Sequence, residues 1–331
     1  MLSTSAAAQP ESSLTLIEAL ELALENSPSI AIARHRSESD RGSLLIARGD
    51  FDGTLSAGVS VVDQETPLTV ETVRETKATS QSAAWAQTLR TGQTVTGSAE
   101  LEQADGDPTI STGTVTFSVR QPLLRGRGRA VTTAQERAAD EDFQVGRLEL
   151  VHEISRRLAI VAQQYWSVRS AMLDLDILRY TEERSRQLLD TTRRLIEAQQ
   201  VPAAEMLQLE ADLASREASR VAGERVLFQA RQALAAEIGL GPEAAGALPL
   251  PGDAFPEISI DAIPESARAL LAEASARRAD LAAEQRRLEA ARIRLFAAED
   301  DLKPRLDLVL TPSYTGLAEG GGVDDALGAL G

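Results

Sequence analysis

The sequence contains no cysteine, which removes disulfide frameworks, thiolate zinc sites and lipid attachment to an N-terminal cysteine from the residues shown. Aromatic residues make up 3% of it, too little ring area for a compact core built on bulky side chains. No apolar run approaches the roughly eighteen residues that a membrane-spanning helix needs, so any membrane crossing has to be made by a closed β-barrel. Positive charge is also scarce: 34 Lys and Arg stand against 50 Asp and Glu, a formal net charge of −16. That balance disfavours sequence-independent binding to nucleic acid, which needs a surplus of cations on one face.

Alanine, leucine, glutamate and arginine dominate the middle of the chain, the composition of long helices packed through narrow seams. Leu14 to Glu25 is amphipathic, and a second helix follows with Ser27 as its cap and Pro28 in its first turn, running to about Arg48. From Gly53 the apolar period drops to two, placing Leu55, Ala57, Val59 and Val61 on one face of a strand. A polar stretch covers about Thr66 to Ser80. Strand-like text then returns at about Gln81 to Arg90, Gln93 to Glu102 and Thr112 to Gln121. Pro122 cannot donate to a ladder, and Gly126 and Gly128 allow a sharp redirection, so the β region ends there.

A long helix follows. Between about Ala130 and Gln200 there is no proline and one glycine, Gly146. Within it Val151, Ile154, Leu158, Val161, Tyr165, Val168, Met172 and Leu175 alternate spacings of three and four, the mark of a coiled-coil seam. The helix has to stop before Pro202. A second helix, with Pro202 in its first turn and Leu209, Leu213, Val221, Leu227, Leu234 and Ile238 along one stripe, ends at Gly239-Leu240-Gly241-Pro242. So short a turn makes the pair antiparallel. A loop-rich stretch from Gly241 to Pro264 leads to another helix at about Glu265 to Asp301.

Sliding the chain against itself by about 250 residues aligns two helix-to-strand passages. Pro28 falls on Ala279, Leu44 on Leu295, Asp50 on Asp301, Gly53 on Pro304, Leu55 on Leu306 and Val59 on Leu310. Both copies pass from helix to strand through a breaker at the same place.

Chemical motifs are weak. His152-Glu153 lacks the second histidine of a zinc protease, since Arg156 stands in its place, and His35 lies on a polar helix. Gly126-Arg127-Gly128-Arg129 has no Gly-Lys-Ser/Thr ending and is not a phosphate loop. Arg120, Arg125, Arg127 and Arg129 lack the interleaved aromatics of a nucleic-acid surface. No catalytic, cofactor or metal site is expected. Trp85, Phe117 and Tyr314 are candidates for an interfacial aromatic belt, against ordinary packing inside a soluble sheet.

The order of helix, β segment, long helical hairpin, linker, then helix and strand again resembles the TolC-like outer-membrane efflux protein family. The text that carries the resemblance is Leu14 to Pro28, Gln121-Pro122-Leu123-Leu124-Arg125-Gly126, the hairpin around Val201, and Arg278-Ala279-Asp280-Leu281 through Pro304. The resemblance implies a mainly α protein with a β part: antiparallel coiled-coil hairpins forming a periplasmic tunnel, joined to strands of a trimeric transmembrane β-barrel. It implies a homotrimer set in outer-membrane lipid, working with a periplasmic adaptor (membrane fusion) protein and an inner-membrane pump, as the passive exit duct of a tripartite efflux or type I secretion system. The alternative is a periplasmic or surface coiled-coil scaffold with no pore. Adaptor contact is expected at the hairpin tip, Gln199, Gln200, Val201, Pro202 and Ala203. The barrel-to-helix junction falls at Pro122, Arg125, Gly126 and Pro304. Two departures stand out: Gly53 takes the place of the family's usual proline, and Gln200 that of the usual glycine before Val201.

The expected divisions are a signal remnant or disordered start at 1–13, helices at 14–52, barrel strands and loops at 53–121, the long hairpin at 122–240, a linker at 241–264, the first helix of the second copy at 265–303, and a strand with a truncated loop at 304–331. A second helical hairpin is absent from the text, so the chain is expected to be a piece of a longer protein.

Overall fold

The computed structural model describes residues 13–67, 73–105, 108–257, 267–319 and 328. The N-terminal remnant, part of the linker and the truncated loop therefore fall largely outside the described residues. Two compact units emerge, one from residues 1–37 with 146–282 and one from 38–145 with 283–331.

The first unit is helical. α1 (Leu16–Asn26) opens on a capping box: Glu18 N–H donates to the Thr15 hydroxyl, and Thr15 N–H donates to the Glu18 carboxylate. Its Ala19 and Ala23 are fully buried against the long helix α4 (Ala134–Glu197) and α5 (Glu205–Ile238) in a core that also holds Leu14, Val161, Tyr165, Val168, Leu234, Ile238 and Leu248. Each large apolar side chain withdrawn from water there contributes about 1.5–3 kcal/mol. The Tyr165 hydroxyl, fully inside, lies 2.9 Å from both the Leu14 carbonyl and the Asp253 carboxylate, and the same carboxylate oxygen accepts from Leu16 N–H at 2.8 Å. One buried phenol thus ties the start of α1 to the segment that follows α6 (Pro242–Ala247).

The predicted seam holds in its second half. Val161, Tyr165, Val168 and Leu175 are buried, whereas Val151 is 53% exposed. The reason is the length of the partner: Arg157 pairs with Glu237, next to the last residue of α5, so α4 outruns α5 before that point. One heptad beyond Leu175 the seam holds Glu182, buried and bonded to Arg220 Nε at 2.6 Å and Arg186 Nη2 at 2.7 Å. Burial pushes its carboxyl up, but the two guanidinium groups outweigh this and hold it below the ordinary range. Pro202 does not open α5 as expected. It sits in the turn, and its carbonyl accepts from Glu205 N–H, the first residue of the helix. The helix expected from Glu265 to Asp301 is two, α7 (Ala267–Arg277) and α8 (Ala279–Asp301), broken at Arg278, whose guanidinium forks onto Asp280.

The second unit joins helix ends to a sheet. α2 (Pro28–Gly49) packs Leu44 and Ala47 on Ala139 and Phe143 of α4, while α8 packs Ile293 and Ala297 on Ala134 and Ala138. A short helix α3 (Arg129–Thr132) precedes α4, with Thr133 between them. Ion pairs reinforce the contacts, Arg48 with Glu136 and Asp140, and Arg294 with Asp142.

The sheet is antiparallel, in the order β1 (Thr54–Pro67), β2 (Val73–Thr88), β3 (Thr94–Asp105), β4 (Ile110–Pro122), then β5 (Asp307–Leu310) and β6 (Ser313–Glu319), which share the last position by pairing with successive parts of β4. Much of the polar stretch expected at Thr66 to Ser80 is strand, because β1 and β2 stay paired from Thr54↔Ala86 to Pro67↔Val73. Backbone pairing persists where neither face carries an apolar pattern, which is why the period-two reading loses it. Among the described residues no strand lies beyond β1 or beyond β5 and β6, so both edges of the sheet are open.

Candidate functional site

The registers divide the sheet into two unlike faces, since successive side chains point to opposite sides. One face carries Leu55, Trp85, Gly97 and Phe117 in a row, then Ala57, Ala83, Ala99, Val115 and Tyr314 in the next. Gln87, Val95, Val119 and Leu310 form the row on its other side. The opposite face carries Ser56, Ser98, Thr116 and Ser313 in one row and Ser82, Glu100, Thr114 and Thr315 in another. Hydroxyl pairs pin the last strand there, Thr116 to Ser313 at 3.0 Å and Ser118 to Thr311 at 3.1 Å.

The apolar face is bare. Leu55 is 80% exposed and Val59 74%, with Phe117, Tyr314 and Leu310 also exposed. Trp85 and Phe117 share a row and Tyr314 stands in the adjoining one, so the structure gathers all three candidate aromatics on this face. Gly53 also acquires a reason. A Cβ there would come 2.7 Å from Nε1 of Trp85, so glycine lets the indole lie across the passage from α2 to β1.

At the junction, Pro122 is the last residue of β4 and pairs with Asp307. Leu123 N–H donates to the Leu306 carbonyl at 2.8 Å, and Arg125 reaches the Asp301 carbonyl. Gly126, in the left-handed region at φ 76°, donates its N–H to Asp300 at 2.7 Å. Asp300 is buried and also holds Lys303 Nζ at 2.6 Å; that ammonium, helped by the Gly126 N–H, keeps its carboxyl below the usual range. Gly92, at φ 95°, closes the β2–β3 turn so tightly that a Cβ would stand 2.5 Å from the Gly126 carbonyl oxygen. Pro304 lies exposed in the α8–β5 loop. Sequence reading missed Gly92 and Asp300. A glycine between two strand patterns was a usable signal for the first, while Glu299-Asp300-Asp301 offers nothing to single out the second.

The tip closes α4. Gln199 N–H donates to Ile196 O at 2.8 Å and Gln200 N–H to Leu195 O at 2.9 Å, the two bonds of a Schellman motif. Its left-handed residue is Gln199, at φ 60°, one position before Gln200, which stands where the family usually has a glycine. Gln199, Gln200, Pro202 and Ala203 are exposed and Val201 half-buried. Elsewhere, His152 Nδ1 stands 4.0 Å from Asp280. Among the described residues no three His, Cys, Asp or Glu side chains converge as a metal site would require.

No family model matches the chain. It is 30% identical over 214 residues to the fusaric acid resistance protein FusA of Burkholderia cepacia, a match covering 63% of this chain and 37% of that protein. The chain thus spans little more than a third of that relative. Among solved structures, a membrane protein of Pseudomonas aeruginosa superposes with a TM-score of 0.66 at 17% identity, covering 96% of this chain and 72% of the other. The outer-membrane protein VceC of Vibrio cholerae gives a TM-score of 0.61 at 18% identity, covering 95% and 71%. The fold is that of the TolC-like outer-membrane channels. A TolC-like fold accounts for the mainly helical composition, the antiparallel sheet and the sharp junctions between them, and the solved chains that share it are channels and membrane proteins rather than enzymes.

Proposed function

We propose that the protein is the outer-membrane channel component of an export assembly, a passive duct that works as a homotrimer with a periplasmic adaptor protein and an inner-membrane pump. The observation that carries this reading is the two-faced sheet with open edges. Its exposed apolar side, with Trp85, Phe117 and Tyr314 as interfacial anchors, suits lipid, and its serine, threonine and glutamate side suits a water-filled lumen. Lipid does not tolerate unpaired strand edges, so copies have to complete one another around a barrel. The repeat is supported too: α2 and α8 begin at Pro28 and Ala279, the positions that the internal alignment matches.

The exposed tip from Gln199 to Ala203 is the adaptor contact in this reading. Likeness to a fusaric acid resistance protein favours a small toxic compound over a secreted protein as cargo. The intact protein, purified in detergent and added to planar bilayers, is expected to give stepwise ion conductance, and brominated lipid is expected to quench Trp85. A stable water-soluble monomer that neither inserts nor conducts would sink the idea.

A further inference from the structure

Two loops meet where the sheet passes into helix, 123–127 after β4 and 302–306 before β5, held together by the Leu123 to Leu306 and Gly126 to Asp300 bonds. They present three leucines to solvent: Leu302 is 86% exposed, Leu306 51% and Leu124 43%. Leu306 is level with Leu123, and two-residue steps from it lead through Leu308 to Leu310, so this patch continues the bare apolar face of the sheet. Around it stand four cations. Lys303 is neutralised by Asp300 and Arg305 by Asp307. Arg125 and Arg127 bond only backbone carbonyls, those of Asp301 and Leu123, and neither forms an ion pair among the described residues. Asp301, exposed at the end of α8, opposes them, and the buried Asp300 carboxylate lies within electrostatic reach of Arg125.

Uncovered leucines beside guanidinium groups that form no ion pair have the pattern of a surface that meets a membrane at headgroup level, acyl chains against the leucines and phosphate against the arginines. We propose that this loop pair binds the headgroup of an anionic phospholipid at the rim of the barrel. The proposal rests on the sheet being a membrane wall. The occupant is a lipid rather than a free anion because three exposed leucines frame the cationic groups and run on into the apolar face.

The test is native mass spectrometry of the detergent-purified intact protein with added phosphatidylglycerol, phosphatidylcholine or inorganic phosphate. Phosphatidylglycerol is expected to be retained in preference to phosphatidylcholine and not displaced by phosphate. Arg127→Gln is expected to lower that retention about fivefold, and combining it with Arg125→Gln about thirtyfold, since each surface cation contributes about 1 kcal/mol. Leu302→Gln is expected to weaken retention of both lipids alike. Arg127→Gln alone is expected to insert and conduct as the parent does. Equal retention of the two lipids, no effect of the arginine changes, or full displacement by phosphate would each overturn the proposal while leaving the channel reading intact. So would disulfide capture of Leu302→Cys by a second copy, which would assign the patch to a subunit interface. Failure of the parent to insert into any bilayer removes both readings together.

Discussion

The ends of α4 and α5 make the same turn out of different residues. Each closes with the Schellman pair of bonds, Gln199 to Ile196 and Gln200 to Leu195 in one, Gly239 to Ala236 and Leu240 to Ala235 in the other. Both put one residue in the left-handed region, Gln199 at φ 60° and Gly239 at φ 93°. At Gly239 a Cβ would stand 2.2 Å from the Asn26 carbonyl oxygen, so the helix end is pressed against the joint between α1 and α2 and glycine is obligatory. The tip is exposed and keeps a glutamine, at the conformational cost that a side chain brings to this region. A cap inside the body of the protein is dictated by its neighbours, while a cap at an exposed tip is left open to other demands.

That contrast can be broken most strongly at its buried end. Gly239→Ala is expected to destabilise the protein by about 3 kcal/mol or more, because left-handed strain and overlap with backbone add; chemical denaturation followed by circular dichroism measures it. Gly92→Ala at the sheet junction meets the Gly126 carbonyl oxygen and is expected to cost about 2–3 kcal/mol in the same assay. The exposed tip should respond with the opposite sign: Gln199→Gly is expected to stabilise by about 0.5–1 kcal/mol, the relief of strain being partly offset by the entropy of glycine in the unfolded chain. If Gly239→Ala proves neutral, the turn is not pressed as described.

A smaller effect concerns helix starts. α8 has Asp280 in its first turn, whereas α2 has no acidic residue there. The bond from Arg278 holds the Asp280 carboxyl down at about 2. A depressed carboxylate contributes stability above its unfolded value near 4 that is lost as pH falls towards its folded value. Asp280→Asn is therefore expected to flatten the pH dependence of unfolding between about 4 and 2.

Much of the architecture was legible because it rests on period and punctuation. The switch at Gly53, the stop after Pro122 and the seam through Val161, Tyr165 and Leu175 are local patterns with one physical meaning each. What sequence could not show depends on partners distant along the chain. Val151 fits the heptad as well as Val168 does, and only the end of α5 leaves it bare. Leu44 and Leu295 are aligned by the repeat, yet the first is buried and the second 60% exposed, because α4 offers Ala139 and Phe143 to one and nothing comparable to the other. Glu182, a charge at a seam position, is accounted for only by Arg220 across the hairpin. The candidate aromatics could be listed from sequence, but their shared face required the registers.

Among the described residues the sheet has five strand positions, and each neighbour runs against the last. An odd count means that β1 and the β5–β6 edge point the same way. A ring of identical copies made from these five positions alone would carry one parallel seam per copy, and parallel pairing is slightly the weaker kind. An all-antiparallel ring needs an even number from each copy, so one more strand, running opposite to β6, would have to stand between β6 and the β1 of the next protomer.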